Sequence, residues 1–273
     1  MVTGPLAPLE AADALIYTRE TIYNVASKYG LRATFAPRVN ATKRTYRCLP
    51  PPRIACVNTK VLVGTGQHVH ISLHSTDSHR ARHNAQRSAS EASHLTRTEG
   101  AFIQAVVDHL PALCALMLPT PQSYWRVQDG RSTGGTYACW GTDNKDAPLR
   151  VCGESGSRHI EAKTPDGTAS PYLVLAGVLS VGLYGVLRSR DLKTPDCTKP
   201  ISTMTEEEKK KAKVENLEKL PRSVEEARRL LAQNAVLREG LGSEFIDKYL
   251  SVNEVSLPRL LHRLTIADRH RSV

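Results

Sequence analysis

The sequence predicts an α+β fold, and three stretches carry that prediction. Residues 64 to 73, GTGQHVHISL, alternate polar and apolar side chains after a glycine-rich turn, which is the period of a β-strand. Residues 157 to 163, SRHIEAK, alternate in the same way. Residues 171 to 187, PYLVLAGVLSVGLYGVL, are apolar on nearly every side, which suits a helix buried in a core.

The other elements follow in chain order. Residues 9 to 29 predict an amphipathic helix, with Leu15, Ile16, Ile22, Val25, Ala26 and Tyr29 at helical spacing. Pro8 suits its first turn and Gly30 its C-terminal stop. RATFA, at 32 to 36, reads as a short strand. Residues 40 to 63 lose all periodicity around a triple proline and read as an irregular insert. Residues 74 to 98, rich in Ser, His and Arg, read as a mobile loop. A helical hairpin is expected from Glu99 to Leu118, broken at Pro111. TYACW (136 to 140) and PLRVC (148 to 152) are strand candidates between turn signals. The tail is helical: Thr205 with Glu208, and Ser223 with Glu226, fit the capping-box spacing. Leu230, Leu231, Val236, Leu237 and Leu241 can line one face of it.

Composition narrows the function. Aromatic residues are only 5%, so the core must be mostly aliphatic. The six cysteines form no C-x-x-C pair, which argues against a disulfide scaffold or a zinc ribbon. With no charged-then-apolar leader pattern, the expected setting is the reducing cytoplasm. The net charge of +10 invites a nucleic-acid partner, but residues 31 to 98 alone hold 11 Lys and Arg against 2 Asp and Glu. A charge excess confined to one aromatic-poor segment does not make a nucleic-acid surface. The apolar run at 171 to 187 is at the short limit for a membrane span and holds three glycines, so no membrane partner is expected.

The alternating strands carry the chemistry. His68, His70 and Ser72 share one face of the first; His159, Glu161 and Lys163 share one face of the second. If both belong to one sheet, imidazoles and a carboxylate meet lysine on a common surface. His and Glu are suitable divalent-cation ligands, and Lys would neutralise phosphate or carboxylate oxygens. The spacing of His68, His70 and His74 is also compatible with zinc, provided the strand continues to His74. The bland alternative is a solvated strand face.

Several linked motifs, in the right order, resemble the catalytic domain of glutamine synthetase. GLRATFAPR (30 to 38) resembles the family's ATFMPK strand, and GTGQHVHISL its GSGMHxHxSL strand. PTPQSYWR (119 to 126) is similar to P-x-N-S-Y-K-R. CWGTDNKDAPLR (139 to 150) is similar to AWS-x-x-N-R-S-x-x-I-R. SRHIEAKTPDGTASPYLVLAGVLSVGL (157 to 183) and the tail at 220 to 254 also fit, the tail closest to the fungal-type branch.

The resemblance implies a curved, mostly antiparallel sheet backed by helices, as in the glutamine synthetase and guanido kinase catalytic domains. It implies a ligase that uses ATP to join glutamate and ammonia through γ-glutamyl phosphate, with Mg²⁺ or Mn²⁺, in a homo-oligomer. It places His68 and Glu161 on the metal. It places His70, Arg150 and Lys145 by the reacting phosphoryl group, and Ser72 and His159 by the nucleotide. Gly64, Arg126 and Lys163 fall at the glutamate substrate. It also puts a metal-binding Glu just before Met1 and a β-grasp domain further upstream, so residues 1 to 273 read as a partial, incomplete catalytic domain lacking that domain. The chain departs from the pattern in places. Lys145, His159 and Lys163 stand where many members have Arg, Trp125 replaces a Lys, and the loop DGRSTGG lacks the family's ammonium-binding Glu. These departures, with the missing ligands, lead us to expect impaired turnover. They leave open a ligase for a larger amine, or a non-catalytic relative.

Overall fold

The structure, a computed structural model, describes residues 4–37, 65–74, 94–130, 133–154 and 157–255. The predicted insert at 40–63, Gly64, and residues 75–93 of the predicted loop lie outside them.

Four short strands form one sheet: β1 (Val69–Ile71), β2 (Trp140–Thr142), β3 (Leu149–Cys152) and β4 (His159–Ala162), in the order β1-β4-β3-β2. The β1/β4 and β4/β3 pairs are antiparallel and the β3/β2 pair is parallel. The register aligns His70, Glu161, Arg150 and Gly141 in one row across the sheet. The rows on either side are apolar and face the core: Val69, Ala162, Leu149 and Trp140 in one, Ile71, Ile160 and Val151 in the other. One face is therefore core and the other polar, as the alternation required.

The helices are α1 (Pro8–Lys28), α2 (Arg97–Met117), α3 (Pro121–Arg126), α4 (Pro171–Leu187), α5 (Glu206–Lys211), α6 (Val224–Gln233), α7 (Ala235–Leu241) and α8 (243–255). Helix α2 is the centre of the molecule. By length and composition it could cross a membrane, but 89% of its most apolar window is buried within the protein, which marks a core helix. Helix α4 packs along it through Gly177, Gly182 and Gly185. A methyl group at Gly182 would overlap the Phe102 ring, and one at Gly185 would overlap Ala101 and Ala105. Glycine lets the two helix axes approach closely enough to exclude voids.

Several expectations need correction. The helical hairpin is one continuous helix, with Pro111 inside α2. Proline removes one N–H and crowds the preceding turn, but sixteen buried residues hold α2 in place. The predicted loop ends before Leu95, which is buried, and Thr96 caps α2 in a box with Glu99. Among the described residues RATFA joins no ladder; the Thr65 hydroxyl donates to Phe35 O at 2.5 Å and Ala36 O at 3.0 Å. The strand expected at 136–140 starts at Trp140, because Gly134 and Gly135 turn the chain at φ 99° and 62°. The tail splits at Asn234, whose side chain accepts from Leu237 N and starts α7; Leu231 and Leu237 are fully buried on either side. The Ser223 cap is present, but Glu226 reaches back to Arg222 N rather than to Ser223 N. In α1, Ala12 is buried while Ile22, Val25 and Tyr29 are exposed among the described residues.

Candidate active site

The polar row converges on Glu161, in the middle of β4, which is only 2% exposed. His68, one residue before β1, brings Nδ1 to 2.8 Å from Glu161 Oε1. Lys163 Nζ lies 3.7 Å and His70 Nε2 3.8 Å from the same oxygen. Arg150, paired with Glu161 across β3 and β4, places Nε 2.6 Å from Oε2. That approach is an ion pair side-on to hydrogen-bond geometry, so both atoms keep unspent bonding capacity. His159, at the start of β4, stacks at a tilt on His70 with ring centres 5.0 Å apart.

Burial by itself would raise the Glu161 pKa. The His68 hydrogen bond, then the charges of Lys163, His68 and Arg150, outweigh it and hold the carboxyl at about 2. Burial lowers the Lys163 pKa, opposed by Glu161. Burial also lowers the His70 pKa, against the pull of Glu161. One carboxylate thus faces two fixed cations and two imidazoles at the lip of the sheet. That balance favours an incoming anion.

Arg126 closes the inner end. It is 3% exposed, and its Nη1 donates to Thr164 O at 3.1 Å and its Nη2 to Lys163 O at 3.3 Å. Nη2 also faces Nε2 of His68 at 3.4 Å. The imidazole thus turns Nδ1 to the Glu161 carboxylate and Nε2 to the Arg126 guanidinium. Gly66 makes the space: a Cβ there would come 2.7 Å from Arg126 Nη2 and 2.7 Å from His68 Nε2.

The structure brings together His68, His70, Arg126, Arg150, His159, Glu161 and Lys163. Lys145 stands apart from these ion pairs, exposed on the turn before β3; its neighbour Asn144 is pinned to Cys197 O at 2.6 Å. Ser72 is exposed just past the end of β1. Gly64 lies outside the described residues. Two residues at the site escaped the sequence reading. Gly66 belonged to the GTG turn but had no assigned role, and Asp166 had none either, although it is fully buried and bridges Gly66.

Comparison with known proteins identifies the family. The model of the glutamine synthetase catalytic domain matches residues 54–271. The chain belongs to the glutamine synthetase family. Protein fluG of Emericella nidulans is 30% identical over 95% of this chain and 25% of its own length. A gamma-glutamylpolyamine synthetase of Streptomyces coelicolor is 30% identical over 91% of this chain and 48% of its own. A glutamine synthetase of Rhizobium leguminosarum is 29% identical over 90% of this chain and 51% of its own. The chain thus spans about half or less of the length of these relatives. Among solved structures, a novel glutamine synthase homolog matches with a TM-score of 0.61 at 26% identity, over 89% of this chain and 49% of that one. A GmaS/ADP complex matches with a TM-score of 0.67 at 24% identity, over 92% of this chain and 51% of that one, which supports the fold alone.

The family implies a divalent cation. Imidazole and carboxylate are suitable donors, and His68 and Glu161 converge. They are spent on each other, however, and Arg150 sits on the second carboxylate oxygen. Among the described residues, no three His, Cys, Asp or Glu side chains are grouped to hold a metal ion, so the predicted His68, His70 and His74 zinc set is not assembled. Hard divalent cations take about six donors. The residues present do not fit a complete cation site; they offer two of its donors.

Proposed function

We propose that this chain carries the phosphoryl-transfer face of an ATP-dependent glutamate–amine ligase. The observation that supports it is the convergence of Arg150, Lys163 and His68 on Glu161, with Arg126 behind them. In this reaction the γ-carboxylate of glutamate attacks the terminal phosphorus of ATP and ADP leaves. The amine then attacks the γ-carbonyl carbon, phosphate leaves, and the amine loses a proton to give the amide. Each step moves negative charge onto phosphoryl or carbonyl oxygens, so positioned cations accelerate it.

Arg150 faces the row from the middle of the sheet, where a phosphoryl group would lie over Glu161. Its planar guanidinium fork suits phosphate oxygens. His70 and His159 line the outer edge toward the nucleotide, with Ser72 beyond them. Lys145, exposed on its turn and apart from the cluster, is assigned to the phosphoryl group by the family pattern alone. Lys163 and the Nη2 end of Arg126 meet the glutamate carboxylate beside Gly66. Among the described residues, His68 and Glu161 are the two donors that could be offered to a Mg²⁺ or Mn²⁺ ion, which when bound would neutralise phosphate charge. With only two donors, turnover by the chain alone should be slow. The free, buried thiols of Cys114, Cys139, Cys152 and Cys197 suit a reducing cytoplasm.

A second reading, a ligase for a larger amine, is favoured by one observation. The acidic group of the 128–135 loop is Asp129, and its carboxylate accepts from Thr136 N and Oγ1 at 2.9 Å. It is engaged with its own loop rather than poised for ammonium. The gamma-glutamylpolyamine synthetase among the relatives points the same way. Incubating the chain with glutamate, Mg-ATP and either ammonia or a panel of primary amines and polyamines separates the two. Ammonia as the best acceptor of the panel would reject the larger-amine reading. Phosphate release indifferent to glutamate would reject both.

A further inference from the structure

The segment 163–168 passes directly beneath the glycine turn that precedes β1. Gly66 bridges Asp166 antiparallel, and Gln67 N donates to Pro165 O at 2.9 Å. Asp166 N donates to Met117 O at the end of α2, at 3.2 Å. The Asp166 side chain is fully buried. Its Oδ1 accepts from Thr168 N at 2.7 Å and from Thr168 Oγ1 at 2.5 Å, and the buried Ser123 hydroxyl of α3 also lies against the carboxylate. Two residues earlier, Thr164 O holds Nη1 of Arg126, whose Nε is buried and unpartnered.

A buried guanidinium bonded to neutral carbonyls is costly unless an opposite charge lies near. Asp166 meets that need. Burial pushes the Asp166 pKa up, against the hydrogen bonds of Ser123 and Thr168 and then the charge of Arg126; burial pushes the Arg126 pKa down, against the charge of Asp166. Arg19 of α1 and Tyr124 of α3 also feel the Asp166 charge. Thr168 fixes the carboxylate from one side and the backbone bridge to Gly66 from the other.

We propose that Asp166 is a positioning residue: its buried carboxylate is the counter-charge that holds the Arg126 guanidinium against Gly66 and His68. It touches no substrate. It sets the one Arg126 nitrogen, Nη2, that reaches the turn, and through Nη2 the orientation of the His68 ring. The consequence for carboxylate recognition rests on the function proposed above for Arg126; the positioning itself does not.

The test is nitrogen NMR of the full chain in wild type, Asp166→Asn and Thr168→Val, with the Arg126 Nε–H signal assigned by its disappearance in Arg126→Lys. Asparagine keeps the volume and the acceptor for Thr168 N but loses the charge. In wild type the Arg126 Nε–H should be resolved and slow to exchange. In Asp166→Asn its exchange should speed by about tenfold or more, and the His68 ring-nitrogen shifts should move. Thr168→Val, which keeps the carboxylate but loosens it, should move both in the same direction by less, so the proposal stays testable if Asp166→Asn does not fold. Unchanged Arg126 exchange and His68 shifts in a folded variant would overturn it. Glutamate titration on the same samples separates the two layers. An affinity about tenfold weaker in Asp166→Asn is expected. If wild type does not bind glutamate, the substrate role of Arg126 fails while the NMR result still decides the positioning.

Discussion

Glu161 is the residue on which the site turns, because every cation of the row is balanced by it. Its folded pKa of about 2 lies below the ordinary 4.5. A depressed carboxyl contributes stability that is complete above pH 4.5 and is lost as pH falls through about 2. Urea unfolding across that window should show falling stability in wild type and a flatter profile in Glu161→Gln. At neutral pH the Gln variant should be less stable by about 3 kcal/mol, since it strands Lys163 and Arg150 without their counter-charge. Gly66 makes a different prediction. Gly66→Ala should weaken glutamate binding by about tenfold through displacement of Arg126 and His68, with a much smaller change in melting temperature; calorimetry and a thermal scan check both. The sequence made part of this visible. The alternation of His68, His70, His159, Glu161 and Lys163 is a period-two pattern, so the polar faces could be read directly. That Arg150 would lie opposite Glu161 could not be read, because register is set by pairing between distant strands. Asp166 was hidden for a similar reason: TPDG has turn chemistry locally, and its burial comes from α2 and the glycine turn.

At the scale of elements, the contact between α2 and α4 holds the back of the sheet. A methyl at Gly182 must displace the Phe102 ring, which is itself fully buried. Gly182→Ala should therefore cost about 1–3 kcal/mol by overpacking, despite the better helix propensity of alanine. Gly4→Ala, with open space around it, should be near neutral, and denaturant midpoints of the two variants measure the contrast. The apolar run at 171–187 made α4 legible, since nothing but a buried helix suits it. Pro111 misled because the local rule is sound but weaker than the burial of the helix around it. RATFA misled because strand propensity needs a partner strand, and none pairs with it among the described residues.

For the whole molecule, the excess positive charge of 31–98 lies mostly outside the described residues, while the site carries its own cations on rigid strands. The described parts of β1, β3, β4 and α3 therefore gather the cations of the site around one carboxylate. The central claim is that this cluster serves a glutamate-dependent ligase. Its most direct test is phosphate release from Mg-ATP by the full chain, with and without glutamate and amine, in wild type, Arg150→Gln and Glu161→Gln. The account predicts slow release that requires glutamate and amine together and falls at least about tenfold in both variants. Release that ignores glutamate, or that persists unchanged when Arg150 and Glu161 are replaced, would contradict it.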